Sequence, residues 1–150
     1  MSEMRVDEYM ALGREEQERS LEGLTDEELL RFGVDLFNAG HYWHSHEVWE
    51  AVWMDAPQEL RAFYQGLIQV AAGLVHLVRN EYPGTERLLE AGVEKLERYG
   101  ASRLGVDLER LVRESKAARE RVLAVGPKGL AGIERESLPL IRMTSADASG

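Results

Sequence analysis

Residues 37–53 hold most of the side chains in this chain that could do chemistry. Three of the four histidines and all three tryptophans of the sequence lie within this segment. His46 and Glu50 are four residues apart, which brings their side chains together on one face of a helix. An imidazole beside a carboxylate can act as a general base, bind a transition metal or hold a polar ligand.

A second row of polar side chains is predicted on the helix that follows. Gln65, Gln69 and His76 fall on one line of a predicted helix over residues 58–80, whose apolar residues occur on all sides. A helix that is apolar all round is typical of the centre of a bundle, so we expect these polar groups to be buried. They then need partners, because each unpaired buried polar group costs about 1–3 kcal/mol.

The short connection between the two helices indicates which groups pair. Pro57 and the two residues before it break the chain between a helix over residues 42–54 and the helix over residues 58–80. So brief a turn makes the two helices antiparallel neighbours. We therefore expect the His46 and Glu50 face to meet the glutamine row inside the bundle. The predicted ligand-binding residues are His46, Glu47, Trp49, Glu50, Trp53, Gln65, Gln69 and His76.

Helical periodicity covers nearly the whole chain, and no alternating apolar run is long enough for a sheet. Thr25 and Glu28 have the spacing of a capping box, Thr85 is predicted to cap a helix that ends at Tyr99, and Asp107 is predicted to cap the last helix. The sequence thus predicts an all-α, antiparallel bundle of about five or six helices with short loops.

Length and composition limit the classes of function. One domain is expected over residues 1–142, with residues 1–20 as a loosely attached N-terminal helix and residues 143–150 as a disordered tail. The chain has no cysteine, which excludes disulfides and thiolate metal sites. Its net charge of −9 argues against nucleic acid and anionic membranes as partners. The first residues do not form a signal peptide, so the predicted location is cytoplasmic.

The motif residues resemble a known family. They are Phe37-Asn38-x-Gly40-x-Tyr42-Trp43-x-x-His46-Glu47-x-Trp49-Glu50-x-x-Trp53, then Gln65-Gly66-Leu67-Ile68-Gln69 and Gly84-x-x-x-Leu88-Leu89. This pattern is similar to that of the small all-helical family called domain of unknown function 309, and the resemblance covers about residues 29–110. It implies an all-α bundle in the cytoplasm and implies no activity. His44, where an acid is common, and Thr85, where alanine is usual, depart from the family pattern.

Three interpretations of the polar cluster stay open. In the favoured one it is a structural network that fixes helix pairing, in a module that associates with another protein or with a second copy. In the second, His46, Glu50 and His76 bind a divalent transition metal, or the His46–Glu50 pair serves a hydrolase-type reaction whose catalytic residues the sequence does not assign. In the third, the tryptophans and glutamines enclose a small polar ligand.

Overall fold

The computed structural model describes residues 5–144, which form seven α-helices and one short hairpin. The elements are α1 (Val6–Met10), α2 (Arg14–Leu21), α3 (Asp26–Asn38), α4 (Tyr42–Met54), α5 (Gln58–Val78), α6 (Tyr82–Leu96), β1 (Ser102–Arg103), β2 (Val106–Asp107) and α7 (Leu108–Gly129, interrupted at Gly126). The predicted all-α bundle is confirmed. The helix count exceeds the prediction because the N-terminal region forms two short helices, the second of which begins after Gly13.

The helices from α3 to α7 pack in chain order, so α4 lies between α3 and α5. The contact of α5 with α6 is the most extensive in the bundle. Glycines make this approach close: a Cβ on Gly66 would lie 2.8 Å from the Leu96 side chain, and one on Gly92 would lie 2.8 Å from Val70. α5 therefore forms the centre of the bundle, as its apolar sequence predicts.

Two of the predicted helix caps are present. Thr25 and Glu28 make the reciprocal hydrogen bonds of a capping box at the start of α3, at 3.1 and 2.9 Å. The Asp107 carboxylate accepts a hydrogen bond from the backbone N–H of Arg110 at 3.0 Å and so caps α7. Local side-chain signals thus set the start of both helices.

The predicted cap at Thr85 is wrong. The helix begins earlier, at Tyr82, because Pro83 fits the first turn of a helix, where its missing N–H is not needed. Thr85 is fully buried within α6, and its hydroxyl donates a hydrogen bond to the carbonyl of Glu81 at 3.0 Å.

After α7 the chain forms two 3-10 turns, Leu130–Gly132 and Arg135–Ser137, and then continues as an extended segment from Leu138. Leu138 and Ile141 are buried, and Met143 pairs with Val106 of β2 as an antiparallel bridge. Of the predicted tail, residues 145–150 lie outside the described residues. Between residues 5 and 144, no helix combines the length and apolarity that a bilayer crossing requires.

Candidate functional site

α4 buries a different side from the one expected. The sequence predicts that the side with His46 and Glu50 faces the core. Instead the buried residues of this helix are Tyr42, Ser45, Val48, Trp49 and Val52. The core-facing side is thus turned by roughly a quarter of a revolution from the predicted one. The reason is that the prediction centred on the indoles, whereas Val48, Val52 and Ser45 occupy the middle of the buried side.

Trp49 belongs to the core and does not line the site. Its side chain is fully buried, and its indole N–H donates a hydrogen bond to the backbone carbonyl of Leu30 in α3 at 3.2 Å. The indole lies directly against Gly33, where a Cβ would come within 2.6 Å of ring carbons. Trp49 is predicted to be a wall of a pocket, but it packs α3 against α4.

His46 lies at the margin between α4 and α5. Its ring stacks on Trp43, with ring centroids 5.0 Å apart, and its Nε2 lies 3.5 Å from a carboxylate oxygen of Glu50. The predicted contact between His46 and Glu50 is therefore present. The two side chains differ in burial, however: that of His46 is 16% exposed and that of Glu50 is 50% exposed. The expectation of a buried cluster does not hold for Glu50.

Arg61 of α5 and Arg79, the residue that follows the end of α5, contact the tryptophans of this margin. The Arg61 guanidinium lies 4.3 Å from the Trp53 ring centroid and donates a hydrogen bond to the Trp53 carbonyl at 3.2 Å. The Arg79 guanidinium lies 5.6 Å from the ring centroid of Trp43, which is 42% exposed. Both are cation–π contacts. We call this surface the α4–α5 rim. It consists of Trp43, His46, Glu50, Trp53, Arg61 and Arg79.

The predicted polar row of α5 is half-buried, and its last residue, His76, turns toward α6. Gln65, Gln69 and His76 share the outer side of α5. The Nδ1 of His76 lies 2.7 Å from Glu81, and its ring packs against Gly84 of α6. His76 thus turns toward α6, and the prediction that it is buried is wrong, because its side chain is 38% exposed.

The predicted metal ligands do not form a set in this arrangement. Within residues 5–144, no group of three or more histidine, aspartate or glutamate side chains is placed to hold a metal ion. The geometric reason is that His46 pairs with Glu50 along α4, whereas His76 pairs with Glu81 beyond the end of α5.

Two polar atoms of the rim and one of the polar row of α5 are buried without a hydrogen-bond partner in the described part of the chain. They are Nδ1 of His46, Nε1 of Trp53 and Oε1 of Gln69. An indole N–H can only donate and an amide oxygen can only accept, while the imidazole nitrogen takes either role according to its tautomer. A molecule that paired with both the Trp53 N–H and the Gln69 oxygen would therefore have to accept one hydrogen bond and donate another.

Glu47 lies on the opposite margin of α4 and borders a cleft of about 490 Å³. Its carboxylate pairs with Arg14 of α2 at 2.8 Å. Tyr9 also lines this cleft, and its pKa is raised by burial and by the nearby Glu47 carboxylate. Burial lowers the pKa of His44.

Sequence reasoning missed Arg14 and Tyr9 at the cleft and Arg61 and Arg79 at the rim. The weak periodicity of residues 1–20 carries no signal for the first two. The positions of Arg61 and Arg79, one at each end of α5, are a signal for the other two once α4 and α5 are taken as antiparallel.

Comparison with known proteins confirms the resemblance read from the motif. The profile of the family described as "Domain of unknown function (DUF309)" matches residues 30–88. This range covers most of α3, all of α4 and α5 and the first part of α6, and so includes the rim. The chain is 30% identical over 95 residues to the "Uncharacterized protein YpuF" of Bacillus subtilis (strain 168). The match covers 61% of this chain and 55% of that protein, so the chain spans about half the length of this relative.

Proposed function

We propose that this chain is a protein-association module and that the α4–α5 rim is its docking surface. The observation that carries the proposal is the pair of tryptophan–arginine contacts, Trp53 with Arg61 and Trp43 with Arg79. Tryptophan and arginine are the residues most enriched among those that dominate binding energy at protein interfaces. Here they are held in place before any partner arrives, which lowers the entropy cost of binding.

The charge of the rim also supports docking. Acids outnumber bases in the whole chain, 27 to 18, whereas the rim holds two arginines and one carboxylate. Charged residues other than arginine are depleted in interface cores. Met54, which is 69% exposed, follows Glu50 by one turn of α4 and extends the apolar surface.

Site-specific photocrosslinking tests this proposal. A benzophenone amino acid replaces Met54 in the full chain, and the protein is irradiated in the cells that produce it. We expect one discrete adduct heavier than the 17.0 kDa chain, formed with a partner protein or with a second copy. Trp43→Ala combined with Arg79→Ala removes one of the two tryptophan–arginine contacts and should abolish the adduct.

The control carries the same crosslinker at Leu123, an exposed residue of α7 that lies outside the rim. It should not form the adduct seen from position 54. An adduct that survives the Trp43 and Arg79 substitutions, or that forms equally well from Leu123, contradicts docking at the rim. The far-ultraviolet circular dichroism of each variant should match that of the unmodified chain.

The three unpaired polar atoms favour a second candidate, a small polar ligand held beside the rim. Such a ligand would pair with Nε1 of Trp53 and Oε1 of Gln69. Native mass spectrometry of the chain, purified without denaturation, should then show an added mass that Gln69→Leu abolishes. Without such a ligand, neither the wild type nor Gln69→Leu should carry an added mass, and the substitution should keep or raise stability, because it removes an unpaired buried acceptor.

A further inference from the structure

The C-terminal segment, residues 138–144, is held as an extended peptide in a groove formed by α3, β2 and α7. The Asn38 amide makes two hydrogen bonds to the backbone of Ile141, one to its carbonyl and one from its N–H, both at 2.8 Å. The Glu114 carboxylate accepts a hydrogen bond from the backbone N–H of Leu140 at 3.0 Å. These side chains therefore recognise backbone groups, which any extended chain presents.

β2 pairs with the same segment as a strand edge. The Asp107 N–H donates a hydrogen bond to the Arg142 carbonyl at 2.9 Å, and the Thr144 N–H donates one to the Gly105 carbonyl at 2.7 Å. These two bonds flank the bridge between Val106 and Met143. The arrangement is strand addition to a sheet edge, a mode by which proteins bind extended peptides.

The side chains of the segment add a simple apolar pattern. Leu138 and Ile141 are each only 4% exposed, whereas Leu140 points outward. Emptying the groove is unfavourable, because it breaks the hydrogen bonds that the segment makes with the Asn38 amide and the edge of β2.

The connection to α7 allows the segment to leave its own groove. Residues 131–137 are exposed except for half-buried Ile133. A Cβ added at Gly132 would meet no atom within 4 Å, so the space around this residue is open. Fully extended, these residues span about 25 Å. One hydrogen bond, from Arg121 to the Ser137 carbonyl at 2.7 Å, holds the end of this connection.

We propose that residues 138–144 are an exchangeable strand and that the occupant able to replace them is the same segment of a second copy. Every contact described above can form between two chains as well as within one, since the two segments are identical. A tethered segment has an effective concentration of about 1 mM, so closed monomers predominate at micromolar concentrations. Exchanged dimers should accumulate as the protein concentration approaches that value.

The absence of cysteine in the sequence permits a direct test. Val106→Cys and Met143→Cys are made in separate full-length chains, one of them tagged. The two positions face each other across the bridge, between the flanking hydrogen bonds, where the Cα atoms of paired strands are close enough for a disulfide. In a mixture of the two variants, a disulfide joining positions 106 and 143 can form only between chains.

We expect the heterodimer on non-reducing electrophoresis, in a yield that rises with protein concentration. The matched control mixes Met143→Cys with Ala124→Cys, an exposed position on α7 that reports random collision. Adding Asn38→Ala to both bridge variants should speed the appearance of the heterodimer about tenfold or more, because opening then breaks two fewer hydrogen bonds. The final yield should change little, because the closed monomer and the exchanged dimer lose the same two hydrogen bonds.

A second measurement leaves the chain unsubstituted, because Val106 is buried and its replacement could impair folding. The wild-type chain is incubated near millimolar concentration, diluted and sized by light scattering. We expect a dimer of twice the 17.0 kDa chain mass that decays slowly after dilution. A crosslink yield no higher than the Ala124 control at every concentration, together with a wild-type chain that stays monomeric, would overturn the proposal.

Discussion

The two sides of α4 that contact neighbouring helices differ in how completely their polar groups are paired. Toward α3, Trp49 is fully buried and its N–H is bonded to the Leu30 carbonyl. Toward α5, Trp53 is partly exposed, and its N–H is buried without a partner in the described residues. Two tryptophans of the same helix therefore differ: the N–H of Trp49 is hydrogen-bonded on the α3 side, and the N–H of Trp53 is unpaired on the α5 side.

This difference separates what holds the fold from what is available for binding. Unpaired buried polar groups lower stability, so a structure retains them where something else completes them. On the α3 side of α4, the Trp49 indole has no unpaired polar group, because its N–H is hydrogen-bonded and its ring lies against Gly33. The α5 side combines unpaired atoms with exposed Trp43 and so is the side on which we place binding.

The largest expected effect concerns the close approach on the α3 side. Gly33→Ala would bring a Cβ within 2.6 Å of the Cδ1 and Cε2 atoms of Trp49 and closer still to Nε1. Because this indole is fully buried and hydrogen-bonded, it has no free space to move into. We expect a loss of about 3 kcal/mol in the free energy of unfolding, measured by urea denaturation.

Gly132→Ala is the matched control for that substitution. A Cβ at Gly132 would meet no atom within 4 Å. It should change the free energy of unfolding by no more than about 0.5 kcal/mol. Equal effects of the two substitutions would mean that the α3 side is looser than its geometry indicates, and the contrast between the two sides would fail.

A smaller effect comes from comparing the two indoles directly. Trp49→Phe removes a bonded N–H and leaves a void in the core, and should cost about 2 kcal/mol. Trp53→Phe removes an N–H that has no partner, and should cost less than about 1 kcal/mol. Urea denaturation followed by far-ultraviolet circular dichroism measures both, since the fluorescence itself changes. Equal losses would show that the N–H of Trp53 is paired in solution.

The helices could be predicted from local signals because those signals act within one turn. The capping box at Thr25 and the break at Pro57 depend only on neighbouring residues, and the bounds of α4 agree with the prediction. The contact of His46 with Glu50 was predictable for the same reason, since it lies within a single helix.

The orientation of the helices and the non-local contacts could not be predicted in the same way. The burial of Trp49 against α3 depends on Gly33 leaving room for its ring, a fact of packing between two helices. The binding of Ile141 by Asn38 joins residues more than a hundred positions apart. No periodicity indicates such a pair, so the motif that contains Asn38 predicts no role for it.

The smallest expected effect concerns the side of α4 that faces α1, where the half-buried side chain of His44 lies. The His44 ring meets Tyr9 edge-on, with ring centroids 6.2 Å apart. Burial lowers its pKa below the ordinary 6.5; His41 and Arg14 act in the same direction, while Glu47 opposes them.

Between the folded pKa of His44 and 6.5, the unfolded chain binds more protons than the folded chain. His44 therefore makes stability fall as the pH is lowered from 6.5 through the folded pKa. His44→Gln should flatten this part of the pH dependence of the free energy of unfolding, measured in urea at a series of pH values. Parallel curves for the wild type and the variant would show that solvent reaches His44 freely, and that the α1 side of α4 shelters nothing.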